Sequence, residues 1–388
     1  MSRELTMKKE IIINDWELKE WHEVLEIRSG RNQKAVLNPN GKYPIIGSAG
    51  KVMGYADKYI CKEGTTIIGR KGTINSPLFI EHKFWNVDTA FGLHSKELLD
   101  NLFLHYFCLS FDFTELDKGS GRPSLVKSDL LKVQIPLPPL PQQKQIVATL
   151  DKAFAAIDAA KANAEQNLKN AKELFESYLQ NVFVNKGDDW EDKTLIQIAE
   201  VFGRGKSKHR PRNDKKLYGG RHPFIQTGDI RNSKHIITKY TQTYNDEGLA
   251  QSKLWPKGTI CMTIAANIAE TGILAFDACF PDSVIGIVVN SELAEIDYVE
   301  YLLQYFKINI QSLSHGSAQE NINLSTFKDK LFPFAPISEQ QKIVQKLDTL
   351  SLEILKLEAI YTQKIADLDE MKKSVLQKAF SGQLNTVN

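Results

Sequence analysis

Cysteine is scarce in this chain, and none of Cys61, Cys108, Cys261 and Cys279 falls into a Cys-x-x-Cys spacing. That excludes a thiolate zinc site or a disulfide framework and fits a reducing cytoplasm. The eight histidines make no His-x-x-x-His pair, so a histidine metal centre is not expected either. No apolar run reaches the length of a membrane span, and the first fifteen residues mix charges with isoleucines and lack a signal-peptide core. The expectation is a cytoplasmic protein that does not touch a membrane. Cofactor signatures fail as well. Gly205-Lys206-Ser207 imitates the end of a Walker A loop, but Glu200 stands where its first glycine is needed. Asn38-Pro39-Asn40-Gly41 does not supply the Asn-Pro-Pro-aromatic turn of an amino-methyltransferase, and Phe202-Gly203-Arg204-Gly205 is a poor copy of a glycine-rich cofactor loop. Glu81-His82-Lys83, with Asp57 upstream, could be half of a metal-dependent nuclease site, but no second copy accompanies it. The sequence offers binding surfaces and no reaction centre.

Glycine and proline are missing from two long stretches, 142–186 and 337–381. Both begin just after prolines, which suit the entry to a helix and should stop the strands at Ile135 and Phe332 from continuing. The two stretches are copies. Gln143 and Gln340, Ile146 and Ile343, Val147 and Val344, Leu150 and Leu347, and Asp151 and Asp348 all pair 197 positions apart. The register holds without a gap through Ile157/Ile354, Gln166/Gln363, Leu179/Leu376 and Phe183/Phe380. Helical propensity alone would not keep identities in one register for so long, so the unit is duplicated.

The apolar positions step by four and three, as in a coiled-coil seam. In the first copy they include Ile146, Leu150, Ile157, Leu168 and Tyr178; in the second, Ile343, Leu347, Ile354, Leu357, Ile365, Met371 and Val375. Each copy carries one extra step of four at the equivalent place, a shared stutter that suits two helices packed along their length. The first helix delivers the chain to a second globular block and the second leaves that block, so the pair should be antiparallel. At about 1.5 Å per residue, a helix of about 40 residues is about 60 Å long.

The blocks before each helix are weak copies of one another. Val24-Leu25-Glu26-Ile27 corresponds to Ile198-Ala199-Glu200-Val201, and Tyr43-Pro44-Ile45-Ile46-Gly47 to His222-Pro223-Phe224-Ile225-Gln226. Lys62-Glu63-Gly64-Thr65-Thr66-Ile67 corresponds to Pro256-Lys257-Gly258-Thr259-Ile260-Cys261, and Asp88-Thr89-Ala90-Phe91-Gly92 to Asp282-Ser283-Val284-Ile285-Gly286. Short β-branched runs bounded by Gly, Asn and Pro predict strands, and 97–107 and 297–306 have helical spacing. The expected fold is α+β: two strand-rich domains, 1–135 and 186–332, at opposite ends of an antiparallel two-helix coiled coil made of 136–185 and 333–388, related by a pseudo-two-fold.

Net charge is only +2, but its distribution is uneven. Residues 28–71 carry nine basic against two acidic side chains, and 204–239 carry eleven against two. Two such islands at corresponding places point to an extended polyanion. Basic groups there should neutralise phosphates while Arg, Asn and Gln of nearby loops reach base edges. The candidates are Arg70, Lys71, Asn75, Ser76 and Arg122 in the first block, and Arg204, Lys206, Lys208, Arg210, Thr227, Arg231, Asn232, Asn267, Gln319 and Asn321 in the second. Trp16, Trp21 and Trp190 are expected in cores.

The run Pro136-Leu137-Pro138-Pro139-Leu140-Pro141-Gln142-Gln143 followed by Ile146-Val147, its second copy, and the closing Ala379-Phe380-Ser381-Gly382-Gln383-Leu384 resemble the DNA-specificity subunit of type I restriction-modification systems. The resemblance covers essentially the whole chain in the order block, helix, block, helix; the second helix start, Pro336-Ile337-Ser338-Glu339-Gln340, departs from it in lacking the double proline. It implies a non-catalytic subunit whose two target recognition domains each read one half of a split site on double-stranded DNA. It also implies that the helices dock two modification subunits, and that a restriction subunit joins them. S-adenosylmethionine, ATP and Mg would then belong to those partners, with no cofactor in this chain.

Overall fold

The computed structural model describes residues 16–118, 121–209, 211–265, 267–312 and 324–384. Two long helices, Leu140–Val184 and Ile337–Phe380, dominate it. The first opens where the amides of Gln142 and Gln143 both bond to the carbonyl of Pro139, and the second where Glu339 and Gln340 bond to that of Pro336. The second ends at Gly382, whose φ of 74° is the left-handed conformation that a side chain would strain, and Gln383 then turns back to bond the carbonyl of Lys378.

By internal contacts the chain forms two compact units, and the division cuts through both helices. One unit takes the described residues up to Gln166 and those from Tyr361 onward; the other runs from Asn167 to Ile360. In the first unit a four-stranded antiparallel sheet has the order Leu25–Ser29, Ala90–Ser95, Thr65–Gly69, Leu78–Ile80. A smaller sheet has the order Val52–Ala56, Tyr43–Ile46, Trp85–Asn86, its last pair parallel. The second unit repeats both. Its larger sheet runs Ala199–Arg204, Val284–Val289, Ile260–Thr263, Thr271–Leu274, with Ile236–Ile237 added at the edge. Its smaller sheet runs Gln242–Tyr244, Tyr218–Phe224, Ala278–Cys279, with Leu254–Trp255 added. All four weak alignments between the blocks fall on equivalent strands, so the duplication extends through the domains as well as the helices.

One expectation fails. The strands at Ile135 and Phe332 do not stop at the prolines: Gln134–Leu137 and Leu331–Phe334 run through Pro136 and Pro333. They pair with Glu17–Glu20 and Glu191–Thr194. Each is one strand of a two-stranded ribbon, where a residue whose missing amide faces away from the partner costs no ladder bond.

Each domain core is completed by the start of one long helix and the end of the other. In the first unit Trp21, Phe103, Phe107 and Phe113 pack with Ile146, Leu150 and Ile157 and with Leu376 and Ala379. In the second, Tyr298, Leu302, Phe327 and Phe332 pack with Leu347 and with Leu179 and Phe183. Phe380 lies edge-on to Phe103 and Phe107, with ring centroids 5.1 and 5.5 Å away. Phe183, its copy 197 positions earlier, meets Tyr298 and Tyr305 at 5.5 and 5.2 Å. Burying an aromatic ring of this kind is worth about 2 kcal/mol or more. Trp21 is wholly buried, whereas Trp16 and Trp190 lie half-buried at core margins.

Within the first unit the helices run antiparallel. Lys161 pairs with Asp369 at 2.7 Å and Asp158 with Lys372 at 2.9 Å, so positions rise on one helix as they fall on the other. The seam differs from the heptad reading. Ile146, Leu150, Ile157, Leu347 and Ile354 are buried and Leu168, Tyr178, Ile343, Ile365 and Val375 half-buried, but Leu357 and Met371 are exposed. An α-helix drifts about 20° per heptad against a 3.5-residue repeat, which carries such positions off the contact line.

Candidate nucleic-acid interface

In the first domain the fold gathers residues from two distant loops. The strand Thr65–Gly69 leads into Arg70 and Lys71, and Lys71 bridges Ser124 while the amide of Leu125 bonds to the carbonyl of Arg70. This places the Arg122 guanidinium against Gly72, whose φ is 83°. A side chain at that glycine would meet Arg122 at 2.9 Å. Arg70 lies 5.7 Å from the ring of Phe91. Arg70, Lys71 and Arg122 thus lie on adjoining backbone, with Lys71 and Arg122 exposed. Asn75 is different: its Nδ2 donates to Asp112 at 3.1 Å and its Oδ1 accepts from the amide of Phe113 at 2.9 Å. Its amide holds the loop in place, and both Asn75 and Ser76 are exposed.

In the second domain Arg204 closes the strand Ala199–Arg204 and is exposed, as are Lys206 and Lys208 just beyond it. Gly205 has to be glycine, because a Cβ there would lie 2.2 Å from the carbonyl of Phe280. Its role is close packing between strands, not cofactor binding. Thr227, Arg231 and Asn232 share the short helix Thr227–Asn232, with Arg231 and Asn232 exposed. Asn267 is half-buried, and its carbonyl accepts the hydroxyl of Thr263 in a turn where Ala269 adopts a left-handed φ of 62°. Arg210, Gln319 and Asn321 lie outside the described residues. Thr227 borders an open cleft of about 770 Å³ walled by Arg212, Lys215 and Gln242 and floored by Tyr218 and Phe224.

Several island cations are neutralised from outside their own stretch. Arg212 pairs with Asp282 at 2.7 Å, Arg221 with Asp246 at 3.8 Å and Lys234 with Glu358 at 2.9 Å. Their carboxylate partners are remote in sequence, so counting along the chain overstated the free charge.

Around the residues of the nuclease reading the structure shows other contacts. The Lys83 ammonium lies 3.8 Å from Glu63 and 5.2 Å from the Tyr59 ring centre, and Asp57 accepts from Asn38 at 2.9 Å. Burial pushes the thiol of Cys61 up to about 12, and those of Cys108, Cys261 and Cys279 upward too, which leaves them poor nucleophiles.

Two polar devices, each made once per unit, join a long helix to its domain. Gln143, fully buried, accepts from the amide of Asp100 at 2.8 Å and donates to the carbonyls of Leu98 and Pro138. Gln340 repeats this in the second unit, accepting from Glu295 at 2.9 Å and donating to Ala335 at 2.7 Å. Tyr106 donates to Asp151 and Tyr301 to Asp348. The glutamines and aspartates are among the identities at the 197 offset, which show that they repeat but not what they bond. The tyrosines escape because they are 195 apart.

Residues 13–170 and 187–366 match the family described as the type I restriction modification DNA specificity domain. The chain belongs to that family. Among its relatives, the type I restriction enzyme MjaVIII specificity subunit of Methanocaldococcus jannaschii is 23% identical over 411 residues, covering 96% of this chain and 94% of that one. The EcoKI specificity subunit of Escherichia coli is 20% identical over 338 residues, 78% of this chain and 71% of that one. Among solved structures, a chain from a study of complex assembly and conformational transition in the type I R-M system superposes with a TM-score of 0.80. It covers 97% of this chain and 100% of that one at 19% identity. The HsdS subunit of Thermoanaerobacter tengcongensis gives 0.63, with 97% and 99% covered at 17% identity. Those likenesses are of fold. As a specificity-family member with two tandem recognition domains, the chain is the sequence-specific DNA-binding component for a bipartite target, and it works with DNA and with other restriction-modification subunits.

Proposed function

We propose that this specificity chain performs no chemistry itself. One recognition domain reads each half of an asymmetric target, and the long helices hold two modification subunits and a restriction subunit. S-adenosylmethionine, ATP and Mg act on those partners. The observation that carries the reading is a fold written twice with the same sheet order and the same buried glutamine anchors, but with different basic residues about its surface: Arg70, Lys71 and Arg122 in one copy, Arg204, Lys206, Lys208 and Arg231 in the other. Common scaffolding with unlike loops is what two readers of unlike sequences require. Loop cations set affinity through phosphates, and loop amides and guanidinium groups set sequence.

The test exchanges 15–135 for the same block of a relative. The expected outcome is a new first half-site beside an unchanged second one; unaltered specificity rules the proposal out. Incubating the purified chain with DNA and magnesium should yield no cleavage, and a cut product would restore the nuclease reading.

A further inference from the structure

The two domains differ sharply at one pair of equivalent positions. Pro44 pairs with Tyr55 in the first domain's smaller sheet as Pro223 pairs with Thr243 in the second's, and Ile45 and Phe224 each run parallel to a third strand, at Trp85 and Cys279. In that register Gln226 corresponds to Gly47 and Gln242 to Gly54. Where the first domain presents two glycines, the second presents two amides in mutual contact: Gln226 Nε2 donates to Gln242 Oε1 at 2.5 Å. Asp229 ties the two segments together, because its Oδ2 accepts both the backbone amide of Gln226 at 2.9 Å and the hydroxyl of Thr241, next to Gln242, at 3.3 Å. Both glutamines border the open cleft, and Gln242 is exposed.

We infer that Gln242 is a specificity-determining residue of the second domain and that it reads an adenine in the major groove; this rests on the DNA-reading function proposed above. The chemistry follows from what Gln226 leaves open. An amide oxygen has two acceptor positions, and Gln226 occupies one of those on Gln242 Oε1. The remaining acceptor and the Nε2 donors match the adenine edge, which offers N6–H as a donor and N7 as an acceptor. With Gln226 as the donor, the Gln242 amide is held with Oε1 toward Gln226, since a flip of Gln242 alone would set donor against donor. An exposed glutamine otherwise samples many rotamers, and holding it in advance removes part of the entropic cost of binding. The first domain, with glycines there, lacks this device, so the adenine belongs to the second half-site alone.

The test selects bound sequences from a randomised duplex library with the full chain, comparing wild type, Gln242→Ala and Gln242→Glu. Wild type should enrich a bipartite motif, and Gln242→Ala should lose the preference for one adenine of the second half-site by about ten- to a hundredfold while the first half-site stays intact. Gln242→Glu keeps the acceptor for Gln226 but loses the donor to N7. Its preference at that position should move from adenine toward cytosine, whose N4 is a donor. An unchanged motif in both variants, or a uniform loss of affinity with the motif intact, overturns the assignment and leaves the DNA-reading function standing. Enrichment of no motif by the wild type overturns both.

Discussion

His235 holds its Nδ1 2.6 Å from Oε2 of Glu300, a carboxylate with no solvent exposure, and its Nε2 2.9 Å from Oδ1 of Asp297. The imidazole stacks on Tyr301 at 4.6 Å, and Glu300 also accepts from Thr271 and Gln304. Burial on its own would lower the pKa of His235, but the hydrogen bonds and charges of the two carboxylates outweigh it and raise the value to about 10. Against an unfolded value near 6.5, the stabilisation is present in full below that pH and is lost as pH rises through about 10. Thermal unfolding should therefore show wild-type stability declining between pH 7 and 10 more steeply than that of His235→Gln. At pH 7 the variant should be less stable by about 3–5 kcal/mol, because Glu300 is left buried without its cation.

The buried amides of Gln143 and Gln340 should behave as matched anchors. Gln143→Ala strands the amide of Asp100 and the carbonyls of Leu98 and Pro138. A loss of about 2–4 kcal/mol is expected in denaturant unfolding, because an unsatisfied buried group costs about 1–3 kcal/mol and the partly buried groups of Asp100 and Leu98 can recover part of that from water. Gln340→Ala should cost a similar amount, and a loss below about 0.5 kcal/mol at either site would contradict the anchoring role.

Seam positions should divide by burial and not by heptad letter. Leu150 and Leu347 are fully buried and their replacement by alanine should cost about 2–5 kcal/mol each. Leu357 and Met371 are 36% and 51% exposed, and alanine there should change stability by about 0.5 kcal/mol or less. Denaturant midpoints of the four variants decide it.

Asn75 and Lys71 should separate structure from binding. Asn75→Ala removes the bonds to Asp112 and Phe113 and should lower stability by about 1–2 kcal/mol with the bound sequence unchanged. Lys71→Ala should leave stability alone, weaken DNA binding about equally for all sequences and reduce the salt dependence by about one released counterion. Affinity titrations at several salt concentrations, beside unfolding curves, measure both.

The repeat, the two long helices and the order of elements were legible in the sequence, because each is a matter of spacing along one chain. Identities held at an offset of 197 through Phe183 and Phe380, and glycine-free stretches opened by proline, need no third dimension to be seen. Even the weak strand alignments, such as Tyr43-Pro44-Ile45 with His222-Pro223-Phe224, located the equivalent strands, since alternating burial leaves its period in the residues. What tertiary structure decided were meetings between residues distant in the chain. Arg122 comes to Gly72 across fifty positions, Arg212 to Asp282 across seventy, and Gln226 to Gln242 across a strand pair. Asn75 reads in the sequence as a free amide and is bonded to Asp112 and to the amide of Phe113. Whether a polar side chain is available to a ligand depends on which partner the fold brings within about 3 Å, and that distance is set by chain closure, not by composition.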